Sequence, residues 1–228
     1  MSTITADEVI ATLKAHGDPR NVEGMARFGI ISKEVLGVPA PVLRRIAGRI
    51  GKSYGLAAAL WRTGILEARV LAAFVEEPDR VTAAQMDRWA ADFDSWAVCD
   101  GVCLHLFVNT PHAYRKAILW CRDEREFVRR AGFTLMACLA VHDKEATDRQ
   151  FEKFFPSIRR AAVDERNFVK KAVNWALRQI GKRNVNLNKR AIQVAGMIRH
   201  ADSKSARWIA ADALRELRSS AVQKKVRK

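Results

Sequence analysis

The chain has 228 residues, 49% of them hydrophobic, enough for a continuous core in one large domain or two small ones, which argues against disorder. Lys and Arg number 40 against 25 Asp and Glu, a formal net charge of +15, so a polyanion is the expected class of partner. The four cysteines, at 99, 103, 121 and 138, form no CxxC pair, so neither a disulfide framework nor a common zinc module is indicated, and no metal or cofactor is expected.

The opening MSTITADEVIATLKAHG shows no basic leader ahead of a long apolar run. No stretch approaches the ~18 uninterrupted apolar residues of a membrane span, and a cytoplasmic protein is the simplest expectation. From there apolar residues recur at spacings of three and four in segments of about 10 to 20 residues, the pattern of successive amphipathic helices, and no strand run interrupts them. Thr5 with Glu8 and Thr82 with Gln85 fit the capping box, while Asp94, Asn167 and Asp202 or Ser203 stand where N-caps are wanted. HGDPR, LGVPAP, EEPDR, NTPH and GKRNVN supply the turns. Residues 1–220 read as a single domain and residues 221–228 as a basic flexible tail.

In DFDSWAVCDGVCLHLF, Trp96 and Asp100 are one helical turn apart, so the segment, if helical, sets an indole and a carboxylate on one face. An ion pair with a basic neighbour is one reading of Asp100; a functional carboxylate is the other. The remaining aromatics Trp61, Trp89, Trp120, Phe133 and Phe154 lie in apolar stripes and are expected in the core.

LEARVLAAFV, FVRRAGFTLMACL, FVKKAVNWALRQI and SARWIAADALREL are weakly alike, each with a basic residue before an apolar stripe. The aligned Arg69, Arg130, Lys171 and Arg207 are separated by 61, 41 and 36 residues. Periods of ~30–45 residues built from helix pairs predict an all-α solenoid of the HEAT or armadillo kind, in which equivalent positions line one concave face.

The charge is uneven along this array. Residues 1–150 hold 20 basic and 19 acidic residues, whereas residues 151–228 hold 20 against 6, a net of +14. Within ERNFVKKAVNWALRQIGKR, Lys171, Trp175 and Arg178 fall on one helix face, an aromatic between two cations that suits a phosphodiester backbone.

LGVPAPVLRRIAGRI, DFDSWAVCDGVC, EFVRRAGF and RNFVKKAVNWALRQIGKR, in that order and spacing, make the chain from about Gly29 to Leu217 resemble the AlkD-like DNA alkylation repair family of HEAT-repeat DNA glycosylases. The resemblance implies a catalytic cleft of two tryptophans, an aspartate and an arginine, matched here by Trp96, Trp175, Asp100 and Arg130, with Arg129 the alternative arginine. It implies phosphate contacts from Arg178 and from Arg44 or Arg45, and Lys170, Lys171, Lys182 and Arg183 are expected to extend the basic surface.

The activity so implied is hydrolysis of the glycosidic bond of N3- or N7-alkylated purines in duplex DNA by a monomer without cofactor. A cationic base leaves neutral, so a carboxylate that stabilises the growing charge on the sugar suffices, and no general acid is required. A catalytically silent DNA-binding solenoid and a HEAT scaffold for an acidic protein are the alternatives. Release of methylated base separates the first from the enzyme; salt-dependent duplex binding separates the second.

Overall fold

A computed structural model describes residues 4–227, which contain helices and turns but no β-strand; the only ladder element among them is an isolated bridge between Glu34 and Ile65. Packing divides the chain at Pro111 into two units, residues 1–111 and 112–228.

The first unit holds α1 (Ala6–Ala15), α2 (Pro19–Arg27), α3 (Ala40–Ile50), α4 (Tyr54–Arg62), α5 (Leu66–Val75), α6 (Ala83–Ala91) and α7 (Trp96–His105). The expected capping box opens α1: the Glu8 N–H donates to Thr5 Oγ1, and the Thr5 N–H donates to the Glu8 carboxylate at 2.8 Å. α5 is the central helix, packed against α3, α4 and α7. Its fully buried Ala68, Ala72 and Ala73 present little bulk, which lets these neighbours approach. Trp61 and Trp89 stack at 4.0 Å between α4 and α6, and the Trp61 indole N–H donates to Asp92 at 2.8 Å, so the ring is buried without an orphaned donor.

Glu67 is 1% exposed in the first turn of α5 and accepts backbone N–H groups from Leu36, Gly37 and Val38 at 3.0, 2.7 and 3.3 Å. It thereby fixes the loop that leads into α3. Gly37 has φ of 76°, and a Cβ there would stand 2.3 Å from the Asp18 carbonyl oxygen, so only glycine fits.

The second unit comprises α8 (Ala113–Trp120), α9 (Glu126–His142), α10 (Asp148–Glu152), α11 (Phe155–Ala161), α12 (Asn167–Gly181), α13 (Val185–Arg199), α14 (Lys204–Leu217) and α15 (Ser220–Val226). α8 pairs with α9, α11 with α12 and α13 with α14, and the pairs are joined through α9 on α12 and α12 on α14. The helix-pair architecture read from the periodicity is thus present. At Gly132 a Cβ would lie 2.4 Å from the Cys121 backbone nitrogen, so the end of α8 crosses α9 at a distance that excludes any larger residue.

The five aromatics assigned to the core are buried, Trp61, Trp89 and Trp120 at 4 to 5% exposure and Phe133 and Phe154 at 0%. All four cysteines are buried, and none forms a disulfide. Among the described residues no helix is long and apolar enough to cross a membrane, and no group of three His, Cys, Asp or Glu is placed to hold a metal ion.

Several local expectations are corrected. Ser95, not Asp94, caps α7, because Asp94 is drawn to the Ser32 hydroxyl at 2.6 Å and the Lys33 N–H. Asn167 is the first residue of α12, preceded by Arg166 without a side-chain cap. Thr82 caps α6, but Gln85 does not reach back to it, since its amide donates to Glu76. Ser203 caps α14 as anticipated. The stretch read as a tail forms most of α15, capped by Ser219, with Val222 and Val226 buried and Gln223 donating to Asn188 and to the Leu217 carbonyl.

Candidate functional site

In the first unit the site is built on α7. Val98, Cys99, Val102 and Cys103 are fully buried, and this apolar side of the helix leaves Trp96 and Asp100, one turn apart, half-exposed on another face. The Trp96 indole N–H donates to the Phe28 carbonyl at 3.1 Å, which ties the ring to the loop between α2 and α3. Asp94 holds the other end of that tie through Ser32 and lies 3.8 Å from Arg69, whose guanidinium sits over Trp61 and donates to the Asp92 carbonyl.

Beside Trp96 opens a cavity of about 640 Å³ whose walls include Phe28, Phe74, His105, Arg44 and Glu67. Phe28 is 77% exposed at its edge. Both Glu67 oxygens accept backbone N–H groups, so this carboxylate serves as an acceptor. Arg44 and Arg45 are exposed on α3, and Arg44 reaches the cavity wall.

In the second unit the expected residues part company. Lys171 is exposed and Trp175 half-exposed on α12, one turn apart as predicted. Arg178 continues that row, yet its guanidinium bonds to Glu216 and lies 3.4 Å from Asp212 on α14. It is the third rung of a ladder between the two helices. Lys170 lies over the Trp208 ring at 5.2 Å, the Asn174 amide donates to Asp212 at 2.7 Å, and Lys182 joins Arg178 on Glu216 at 2.7 Å. Burial opposes ionisation of Glu216, but Lys182 and Arg178 outweigh it and hold its pKa below the usual carboxylate value.

Arg183 donates to the carbonyls of Ala140, Asp143 and Ala146 and covers Phe151 at 4.1 Å, so it terminates α9 instead of facing outward. Arg129 and Arg130, adjacent on α9, point to different partners. Arg129 meets Asp164 at 2.7 Å and the Asp123 carbonyl at 2.8 Å. Burial would raise the Asp164 pKa, yet the hydrogen bonds from Arg166 and Arg129 prevail and lower it to about 2. Arg130 is 6% exposed and donates to the Phe168 carbonyl at 2.6 Å.

The four aligned cations therefore do four different things: Arg69 covers Trp61, Arg130 is buried on α12's first turn, Lys171 is exposed, and Arg207 pairs with Asp202. Glu67 and Phe28 were not singled out in the sequence. A lone carboxylate in the apolar run ILEARVLAAFV was the available sign of the first.

No curated protein matches the chain by sequence. A solved structure from "a new family of proteins related to the HEAT-like repeat DNA glycosylases with affinity for branched DNA structures" superimposes with a TM-score of 0.78 at 19% identity, over 93% of this chain and 95% of that one. An engineered protein follows at 0.45 and 13% identity, over 80% of this chain and 87% of its own, and a designed armadillo repeat protein at 0.40 and 13%, over 81% and 88%. The fold is thus that of the HEAT-like repeat proteins. The family model for DNA alkylation repair enzymes matches residues 9–217, nearly the whole chain, and on that match the protein belongs to the DNA alkylation repair enzyme family.

Proposed function

We propose that the protein is a DNA glycosylase that hydrolyses the N-glycosidic bond of cationic N3- and N7-alkylpurines in duplex DNA, acting as a monomer without cofactor. The observation that carries this reading is the pairing of Trp96 with Asp100 on the partly exposed face of α7 in a chain of the DNA alkylation repair family.

Alkylation at N3 or N7 leaves the purine positively charged, so the base departs neutral. What the enzyme must stabilise is the positive charge growing on the deoxyribose as the bond breaks. A carboxylate fixed beside the sugar lowers the energy of that state more than that of the intact nucleotide, and we assign Asp100 this role. The same oxygen atoms are suited to orient the attacking water, which adds to C1′ as the base leaves and gives up its proton to the carboxylate and then to bulk water. Trp96, held by the Phe28 carbonyl, offers its electron-rich face to the developing cation and shields it from bulk water. Glu67, whose carboxylate oxygens accept backbone N–H groups, is not available to protonate a leaving base. Neutral lesions such as uracil and hypoxanthine are therefore expected to remain uncleaved.

Trp175 is assigned the second aromatic contact with DNA, Arg130 the arginine of the matched motif, and Lys171, Arg44 and Arg45 contacts with phosphate. Arg178, Lys182, Arg183, Arg129 and Arg130 already engage carboxylates or carbonyls of the protein and contribute to DNA binding less directly.

The test is incubation with duplex containing N7-methylguanine, followed by detection of the free base and of abasic sites. Release of both supports the assignment, and their absence with duplex binding intact overturns it. A binding protein without glycosylase activity is the second reading, favoured by the affinity for branched DNA of the family to which the fold is similar.

A further inference from the structure

The second unit carries 28 Lys and Arg against 12 Asp and Glu, but the ladder between α12 and α14 pairs Arg178 and Lys182 with carboxylates. Much of the remaining excess lies elsewhere, and the clearest concentration is in the groove between α13 and α14. Arg199, Arg207 and Arg218, with Ala211 and Leu214, line a depression of about 430 Å³, and no acidic side chain is among its walls. All three arginines are exposed. Arg207 has an ion pair at 3.3 Å with Asp202, whose side chain is fully exposed, an arrangement that restrains it little.

This groove is not the ladder seen from another angle. Residues 208, 212 and 216 of α14 meet α12, whereas 207, 211, 214 and 218 form a stripe about 130° round the helix at ~100° per residue. Arg199 and Arg218 stand at the ends of α13 and α14, where a cation is favoured by the helix dipole. Arg207 is in the first turn of α14, where the dipole disfavours a cation, so helix stability does not account for the trio.

Arg207 and Arg218 are eleven residues apart, roughly 16 Å along the axis at ~1.5 Å per residue. A single phosphate cannot engage both. A nucleic-acid strand, with one charge every ~3.4 Å of axis, can. The groove floor of Ala211 and Leu214 offers no large aromatic anchor of the sort that dominates protein interfaces.

We propose that the α13–α14 groove is a second binding surface for the phosphodiester backbone of duplex DNA, distinct from the α12 face and able to hold a duplex while that face is occupied. It contributes affinity without sequence preference, and it equips the protein to engage two duplex segments at once.

The experiment is a stoichiometric titration of the full chain with a short undamaged duplex, followed by sedimentation velocity, for wild type and for Arg199→Ser/Arg207→Ser/Arg218→Ser. Wild type is expected to bind two duplexes per chain at low salt, and in the triple variant the second event should be at least about tenfold weaker, with a salt slope shallower by roughly 2.7, about 0.9 per lost phosphate contact. Release of methylated base from a single duplex should be unchanged in the variant, and unaltered thermal unfolding separates lost binding from lost folding. Saturation of folded wild type at one duplex, or an unchanged second event in the variant, overturns the proposal. Capture of polyglutamate in the groove without a second duplex does so too. Two-duplex binding without base release would sink the glycosylase assignment and leave this one standing.

Discussion

The two units differ in what their most engaged carboxylates hold. In residues 1–111, with 12 basic and 13 acidic side chains, four carboxylates accept mainly neutral donors: Glu67 takes three backbone N–H groups, Asp92 an indole N–H, Asp94 a serine hydroxyl and Glu76 an amide, while Asp94 also lies 3.8 Å from Arg69 and Asp18 and Glu77 meet Arg20 and Arg80. In residues 112–228 three carboxylates hold cations, Asp164 binding Arg129 and Arg166, Glu216 binding Arg178 and Lys182, and Asp212 binding Arg215, while Asp143, Asp148 and Glu165 accept from Tyr114, Asn184 and Ser203. Net charge is therefore a poor guide to where free charge lies. The basic unit uses its acids to organise cations between helices. The nearly neutral unit uses them to shape a loop, and it presents Asp100 beside Trp96 on a partly exposed face.

If this contrast is right, the largest stability effect should come from the loop carboxylate of the first unit. Glu67→Ala strands three backbone donors, two of them in buried residues, and should destabilise the protein by about 3 kcal/mol in denaturant unfolding, since each orphaned buried group costs roughly 1–3 kcal/mol. A loss below about 1 kcal/mol would show that the loop does not depend on it.

Asp164 comes next, and its effect should depend on pH. Its pKa is lowered in the folded state to about 2, so the stability it confers is present above its unfolded value of about 3.9 and fades as the pH falls from ~4 towards ~2. Asp164→Asn should lower the unfolding temperature at pH 6 and converge with wild type near pH 2. A gap that does not narrow on acidification would mean the carboxylate is not held by Arg129 and Arg166 through its charge.

The smallest effects separate two cations of α12. Lys171→Ala should make the slope of log affinity for duplex against log salt shallower by about 0.9. Arg178→Ala, whose partners are Glu216 and Asp212, should change that slope less and cost stability instead, of the order of 1 kcal/mol or below. Equal slope changes would place Arg178 on phosphate and break the distinction between ladder and free face.

That distinction marks the limit of what the sequence discloses. Helical periodicity exposes the helix pairs, and the spacing of Trp96 and Asp100 places them on one face, because both are local properties of a 3.6-residue turn. The spacing of Lys171, Trp175 and Arg178 is equally correct, but the fate of Arg178 depends on Glu216, 38 residues later, which only stacking of α12 on α14 brings near. Asp94 failed as an N-cap for the same reason, since Ser32 is distant in sequence. SSAVQKKVRK looks like a polar tail in sequence, yet Val222 and Val226, one turn apart, sit in buried positions.

The central claim is that Asp100 stabilises charge on the sugar and does not merely bind DNA. It is tested most directly by measuring, on one N7-methylguanine duplex, base release and duplex affinity for wild type and Asp100→Asn. Affinity is expected to be unchanged and release slower by about 100-fold or more, the scale of losing one preorganised electrostatic group. Release within a few-fold of wild type, with affinity unchanged, would contradict it.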